Sequence, residues 1–358
     1  MATVAYVVSA HGFGHAARSC AVMDAMARIR DGLRFEILTD VPPWFFAQSL
    51  AAEHRVHRLE TDVGLVQHNT LQEDLGATVE RLDRLVGPRS NALDAIVSRC
   101  SRSRCGAVVC DIAPLGLVAA DQLGLPGVLV ENFTWDWIYR GYADPPAGLM
   151  RHADALDEMF RLADCRIQTV PVCVRSDGAH QVAPVSREPR TPATEVRSRL
   201  GVPQRAALVL LTMGGIRWDY RSLEAMSTTH GRWFVVPGAD ESPLRDGNLI
   251  RLPFRSDLYH PDLVHAADLV VGKLGYSTVA EVYHAHTALA YLARPQFPES
   301  DVLEQFAISR MGAIEVAADD FNSGTWLKDL DDLLDVPRRT DHCENGAGEA
   351  ARIILENV

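Results

Sequence analysis

Apolar residues fall in short runs separated by longer amphipathic stretches, and the alternation starts at residue 3. TVAYVVS (3–9), RFEILTD (34–40), GAVVCD (106–111) and GVLVEN (127–132) are nearly unbroken apolar runs, the pattern of strands buried on both faces of a parallel sheet. Between them, residues 15–30, 43–53 and 114–123 carry helical periodicity, and 70–100 predicts one long helix or two shorter ones. A helical stretch at 147–163 and the run CRIQTV close the first half. Residues 171–193 then lose all period and hold four prolines, which predicts a linker. After it the rhythm resumes. AALVLLTMG, RWFVVPG, NLIRL, ADLVVG, TALAYLA and GAIEVA read as strands, and 194–201, 275–285, 300–311 and 343–357 as helices. The pattern predicts an α/β chain with two doubly wound, Rossmann-like halves: 1–170, a linker 171–193, 194–340, and a terminal helix within 341–358. Ligands of such sheets bind outside the carboxyl ends of the strands, so the loops that follow strands are the places to look for chemistry.

Composition narrows this picture little but usefully. A length of 358 residues suits two cores better than one. The net charge of −12 argues against nucleic-acid partners and anionic membrane surfaces. No apolar stretch approaches a membrane span, and the start lacks a basic leader region, so a soluble protein without a signal peptide is expected. Seven scattered cysteines, an odd number without zinc-site spacing, fit reduced thiols in a cytoplasm and no metal centre. Nearly all basic residues are Arg, a bias that suggests a GC-rich bacterial genome. The lysines, Lys273 and Lys328, are therefore worth locating.

SAHGFGHAARS (9–19) follows the first strand. Gly12, Gly14 and Ala17 satisfy the dinucleotide pattern G-x-G-x-x-A, and Asp40 ends the next strand, so a nicotinamide dehydrogenase is one formal reading. The other starts from His15 in the first turn of the following helix. The positive helix end favours a neutral ring there, as a general base requires. Asp111, at the end of the strand GAVVCD, is the acid that could orient it, while a plain turn residue and a plain helix cap remain the alternative. His11 shapes the turn or meets ligand, and Arg18 lies on the helix face or pairs with an acid. ENFTWDWIYRGY (131–142) interleaves Asn132 and Asp136 with Trp135, Trp137, Tyr139 and Tyr142. That mixture suits a sugar or other polyol, or else a packed hinge.

In the second half, LVVGKLGYSTVAEVYHA is the most informative stretch. A strand runs into Lys273 and Gly275, and a helix opens at Tyr276, Ser277 and Thr278, whose free N–H groups make a site for a diphosphate. Lys273 can neutralise phosphate, and Glu281, about one turn on, can accept ribose hydroxyls. The spacing is not a Walker A loop. Gly214 and Gly215 follow another strand and allow a second backbone approach. Phe254 is placed to meet a nucleobase, and Glu299, Asp301, Glu304 and Gln305 to read sugar hydroxyls.

HGFGHAAR, CDIAP, ENFTWDWIY, MGG, DLVVGKLGYSTVAE and GEAARIILE together resemble the non-kinase N-terminal region of plant-type L-arabinokinase and its stand-alone bacterial relatives. More distantly, GFGH and GKLGYSTVAE are similar to GT-B glycosyltransferases of the type that adds N-acetylglucosamine in peptidoglycan assembly. The resemblance implies a GT-B fold, two Rossmann-like domains facing across a cleft, with the acceptor on the first domain and a nucleotide-sugar donor on the second. It implies Gly275 to Thr278 at the diphosphate, Glu281 at the ribose, Gly214 and Gly215 on the phosphate side, and Glu304 with Gln305 at the donor sugar. His15 falls where related inverting enzymes keep a base, and the terminal helix can cross back to the first domain. No cofactor or divalent metal is implied, the nucleotide sugar being a substrate. No kinase glycine loop is present, so arabinose phosphorylation is not expected. The expectation is an inverting, metal-independent glycosyltransferase with a small-molecule acceptor and no nucleic-acid partner, suited to specialised metabolism. A nucleotide-sugar 2-epimerase and a non-catalytic nucleotide-sugar sensor share the fold and stay open as alternatives.

Overall fold

The computed structural model describes residues 2–69, 72–87, 90–214, 222–338 and 344–358. The chain divides into two compact units. Unit 1 is Met1–Ser186 with Gln296–Glu299 and Asn345–Val358, and unit 2 is Arg187–Pro295 with Ser300–Glu344.

Unit 1 carries β1 (Ala2–Val8), β2 (Leu33–Thr39), β3 (His54–Arg58), β4 (Val66–Asn69), β5 (Gln72–Asp74), β6 (Ala107–Asp111), β7 (Gly127–Glu131), β8 (Cys165–Thr169) and β9 (His180–Val182). Seven of them form a parallel sheet in the order β3-β2-β1-β6-β7-β8-β9, and β4 pairs with β5 separately. The unbroken apolar run of β1 is explained by its two faces. Val4, Tyr6 and Val8 enter one core with the helix Gly14–Ile29, and Ala5 and Val7 enter the other with the helices Ala92–Arg102 and Pro114–Leu123. The helix Ala347–Asn357 belongs to the first of these cores through Ala350, Ala351 and Ile354, and Arg30 Nη2 donates to the Leu355 carbonyl at 2.8 Å.

Of two stretches to compare with the sequence expectation, the first takes the two-helix alternative and the second differs. Residues 70–100 hold two helices, Leu75–Leu85 and Ala92–Arg102, the first capped by Asp74, whose Oδ1 accepts from Ala77 N at 2.8 Å. The proline-rich 171–193 is not all linker. Residues 171–186 belong to unit 1, where β9 extends the sheet edge beside β8, and a helix already starts at Ala193. A three-residue edge strand leaves room for flanking prolines because only one side must pair, so composition hid it.

Unit 2 repeats the plan with β10 (Ala207–Thr212), β11 (Arg232–Pro237), β12 (Leu244–Asp246), β13 (Leu249–Leu252), β14 (Leu269–Lys273), β15 (Ala288–Leu292) and β16 (Ile314–Glu315). The order is β12-β13-β11-β10-β14-β15-β16, parallel except for β12 against β13. The predicted helix 300–311 is a helix, Ser300–Phe306, that widens into a π turn at Ala307–Met311. No helix among the described residues is long and apolar enough to cross a membrane.

In each sheet the chain leaves a central strand toward one edge and later returns on its other side: β1 lies between β2 and β6, and β10 between β11 and β14. These reversals open a crevice at the strand ends of each unit.

Candidate functional site

The crevice of unit 1 collects the residues that follow β1, β6, β7 and β8. Gly12, at φ +74°, turns the chain out of β1 in a conformation that favours glycine, and the helix opens at Gly14. His15 thus stands in the first turn, 8% exposed, with Nδ1 2.9 Å from Asp111 Oδ1. Asp111 has no exposed surface. Its Oδ1 also accepts from Arg18 Nη2 at 2.7 Å, and its Oδ2 from Arg18 Nε at 2.8 Å and Ser19 Oγ at 3.2 Å. Burial pushes the Asp111 carboxyl up, but the Arg18 guanidinium and the hydrogen bonds from Arg18 and His15 outweigh it and hold the group below the ordinary carboxylate range. An ionised Asp111 accepts from Nδ1–H, which fixes the His15 tautomer with Nε2 as the basic nitrogen.

Of the two expectations for Arg18, pairing with an acid is the one observed. Arg18 is buried, and its Nη1 donates to Asn132 Oδ1 at 2.7 Å and to Thr169 Oγ1 at 3.2 Å. Asn132 Nδ2 in turn donates to Glu299 Oε1 at 2.7 Å. One guanidinium therefore ties the ends of β6, β7 and β8 to the helix that carries His15. Its position three residues after His15, on the same helix face, was the available signal. Glu299, expected to read sugar hydroxyls, is instead buried and accepts from Asn132 in this network.

His11 packs edge-on to Trp135 at 5.1 Å between ring centroids, and its Nδ1 accepts from Leu65 N at 3.4 Å. The aromatic stretch, open between sugar-binding faces and a packed hinge, is mostly core. Trp135 and Tyr139 are buried, Trp135 Nε1 donates to Asp62 Oδ2 at 2.8 Å, and the Tyr139 hydroxyl donates to the Gly64 carbonyl at 2.6 Å. Asn132 is likewise fully buried in the Arg18 network, and Asp136 is buried with Oδ2 held by Arg140 at 2.7 Å. The indole and phenol supply apolar bulk that the sheet face needs, and each finds its polar partner indoors. Asp62 was missed by sequence reading. Its burial outweighs the hydrogen bonds from Ser9 and Trp135 and raises its carboxyl. Asp40, the ribose acid of the dinucleotide reading, is instead half exposed and paired with Arg58.

In unit 2 the crevice lies at the ends of β10 and β14. Gly272 of β14 lies so close to β10 that a Cβ would fall 2.1 Å from the Thr212 carbonyl oxygen, so no other residue fits. Lys273 follows, half-buried, and a Cβ at Gly214 would meet its Cε at 3.4 Å, which brings the two expected residues together. Gly215 lies outside the described residues. Gly275 precedes the helix Tyr276–Ala285, whose first turn presents Tyr276, Ser277 and Thr278. Gly275 is the N-cap, and no side chain caps that turn. Its N–H groups and the helix dipole make a place for an anion.

Glu281 is not placed to offer its carboxylate to a ribose. It is buried, Oε1 accepts from Arg187 at 2.9 Å (Nε) and 2.8 Å (Nη2), and Oε2 lies 2.9 Å from His260 Nδ1. Burial raises its carboxyl, and the Arg187 charge and the His260 hydrogen bond outweigh that, leaving it lowered. His260 also reaches Thr212 Oγ1 through Nε2 at 3.2 Å, so it bridges the end of β10 to the anion-site helix. Neither Arg187 nor His260 stood out in the sequence, since both come from segments without a motif. Phe254 is half-buried beside Gly238, Glu304 Oε1 accepts from the Tyr291 hydroxyl at 2.8 Å, and Gln305 is exposed.

No family model matches the chain. L-arabinokinase of Arabidopsis thaliana is 28% identical over 360 residues, which covers 99% of this chain and 34% of that protein. The chain thus spans about a third of the length of that relative. An uncharacterized glycosyltransferase of Methanopyrus kandleri is 24% identical over 263 residues, 71% of this chain and 76% of that one. Among solved structures, the glycosyltransferase SnogD of Streptomyces nogalater superposes with a TM-score of 0.59 at 16% identity, over 100% of both chains. The fold is that of the GT-B glycosyltransferases, and the sequence resembles the arabinokinase N-terminal region.

Proposed function

We propose that the protein is an inverting glycosyltransferase that moves a sugar from a nucleotide-sugar donor to a small-molecule hydroxyl acceptor without a divalent metal. The observation that carries the reading is the buried pair His15–Asp111, 2.9 Å apart at the switch point of unit 1, with His15 Nε2 left as the base. Nε2 takes the acceptor O–H proton while the oxygen forms a bond to the anomeric carbon. The bond from that carbon to the diphosphate oxygen breaks on the opposite face, and the nucleoside diphosphate leaves with the electron pair. Asp111 keeps the tautomer and stabilises the imidazolium as it forms. Arg18 is a positioning residue, holding Asp111 ionised and in place.

Unit 2 supplies the donor end. The first-turn N–H groups of Tyr276, Ser277 and Thr278, with Lys273 and the backbone at Gly214, meet the diphosphate and take the charge that develops on departure. Glu304 and Gln305 are the candidates for the donor sugar. The GT-B fold and the likeness to the Methanopyrus glycosyltransferase support this division of labour.

The test uses purified protein, a panel of nucleotide sugars and a broad acceptor panel. His15→Ala should lose transfer at least a hundredfold while its affinity for the nucleoside diphosphate stays within about twofold, in line with the ~10²–10⁴-fold worth of a general base. Near-normal turnover by His15→Ala, or product formed from the nucleotide sugar with no acceptor present, defeats the reading.

A further inference from the structure

The helix Ala92–Arg102 ends in a way that sets two thiols against each other. Cys105 N donates to the Cys100 carbonyl at 3.0 Å, and Arg104 N donates to the Ser101 carbonyl at 3.1 Å. These are the nested bonds of a Schellman cap, with Arg104 in its left-handed position at φ +52°. In such a cap the side chains at the two ends of the longer bond meet, and an apolar pair usually fills that contact. Here both are cysteines, each a free thiol. The covalent lengths on either side of a 3.0 Å bond keep their Cα atoms under about 7 Å apart, within the span a disulfide bridges.

The two sulfurs are already in hydrogen-bond contact. The Cys105 thiol donates to the Cys100 sulfur, which lowers the Cys100 thiol against the opposing effects of burial and of Glu36 on β2, and raises that of Cys105. Glu36 is itself paired with His57. One sulfur is thereby prepared as a nucleophile while the other is kept protonated, the division found in reactive thiol pairs. Cys100 is 1% exposed and Cys105 7%, yet they lie under a single turn, since Ser101, Arg102, Arg104 and Gly106 are all exposed. Arg104 holds a backbone conformation that glycine usually fills at this position, so the cap is the part of the helix that opens most readily. The turn leads into β6, at the end of the sheet away from the crevice.

We propose that Cys100 and Cys105 are a peroxide-sensitive dithiol that closes to an intramolecular disulfide. The Cys100 thiolate attacks one peroxide oxygen and the O–O bond breaks. The departing hydroxide takes up the proton that Cys100 gave, leaving water and a sulfenic acid. The Cys105 sulfur then attacks the Cys100 sulfur, the S–O bond breaks, and the hydroxide leaves with the Cys105 proton as a second water. Two thiols lose two electrons and the peroxide gains them. The site is independent of glycosyl transfer and needs neither donor nor acceptor.

Hydrogen peroxide at a few equivalents, added to the reduced full chain, tests this by intact mass and peptide mapping. The expected product has lost two hydrogens in mass. Trypsin cuts at Arg102 and Arg104, so the cross-link should join the peptide holding Cys100 to the separate one that begins at Cys105. Dithiothreitol should reverse it. Cys100→Ser and Cys105→Ser should each abolish the cross-link, and Cys105→Ser should leave a sulfenic acid at Cys100 that dimedone captures. His15→Ala should form the cross-link at the native rate, which separates this site from the transfer reaction. A native chain in which both cysteines stay thiols while the half-buried Cys173 is oxidised overturns the proposal. So does a disulfide from either cysteine to any other, or a sulfenic acid trapped at Cys105 in place of Cys100.

Discussion

Arg18 is the group whose removal tells most about unit 1. Its guanidinium is 1% exposed and Asp111 is fully buried, so the pair is worth more broken than made. Arg18→Met keeps most of the volume but leaves Asp111 charged in the core with only His15 and Ser19 as donors, and leaves Asn132 Oδ1 without its guanidinium donor. Breaking a buried pair from one side costs about 3–5 kcal/mol. For a unit of about 200 residues that corresponds to a drop of roughly 6–20 °C in its melting temperature.

The pH dependence should reverse. In the native protein Asp111 is depressed, so its contribution is present above the unfolded carboxylate range and is lost as pH falls through the folded value. In Arg18→Met the burial penalty is no longer outweighed, and the folded value rises above the unfolded one. The deficit is then largest at neutral pH and shrinks as pH falls and Asp111 takes up a proton. Adding Asp111→Asn should recover much of the loss, because the buried charge is gone. Urea unfolding followed by tryptophan emission, at pH 7.5 and pH 5.5, measures all three variants. A deficit under about 1 kcal/mol, a deficit that grows as pH falls, or strictly additive losses in the double variant refutes the reasoning.

Glu281→Gln leaves Arg187 buried without its counter-charge and should cost about 3 kcal/mol, read by the same unfolding assay on unit 2. Because Glu281 is depressed in the fold, the gap between native and variant should be full above about pH 4.3 and should close as pH falls through the lower folded value. Gly272→Ala places a methyl 2.1 Å from the Thr212 carbonyl oxygen and should cost roughly 3 kcal/mol or more, or prevent folding of unit 2. A melting temperature within about 2 °C of native contradicts the close approach of β10 and β14. Lys273→Met should weaken nucleoside diphosphate binding about tenfold by calorimetry and flatten its salt dependence, while the bare nucleoside is unaffected. Equal losses for both ligands speak against a phosphate role.

The sequence by itself determined the central strands of both sheets and most of the helices between them, because runs such as TVAYVV must bury two faces at once and a parallel α/β sheet offers that, whereas the edge strands β3, β9 and β12 carry no such run. It also determined which loops stand at the switch points, so His15, Asp111, Lys273 and Gly275 were legible as a set before any coordinate. What pairs with what was decided only in three dimensions. Arg18 reads as a helix-face residue or the pair of an unspecified acid until the ends of β6, β7 and β8 converge on it and Asp111 proves to be that acid. Trp135 and Tyr139 read equally as ligand faces or packing residues until the sheet covers them and Asp62 and Gly64 take their polar tips. Glu281 reads as a free carboxylate until Arg187 and His260 arrive from segments 94 and 21 residues away. Periodicity is a local property set by backbone geometry, and a single strand expresses it. The charge state and reach of a buried side chain depend on partners that only the folded chain brings within hydrogen-bond distance.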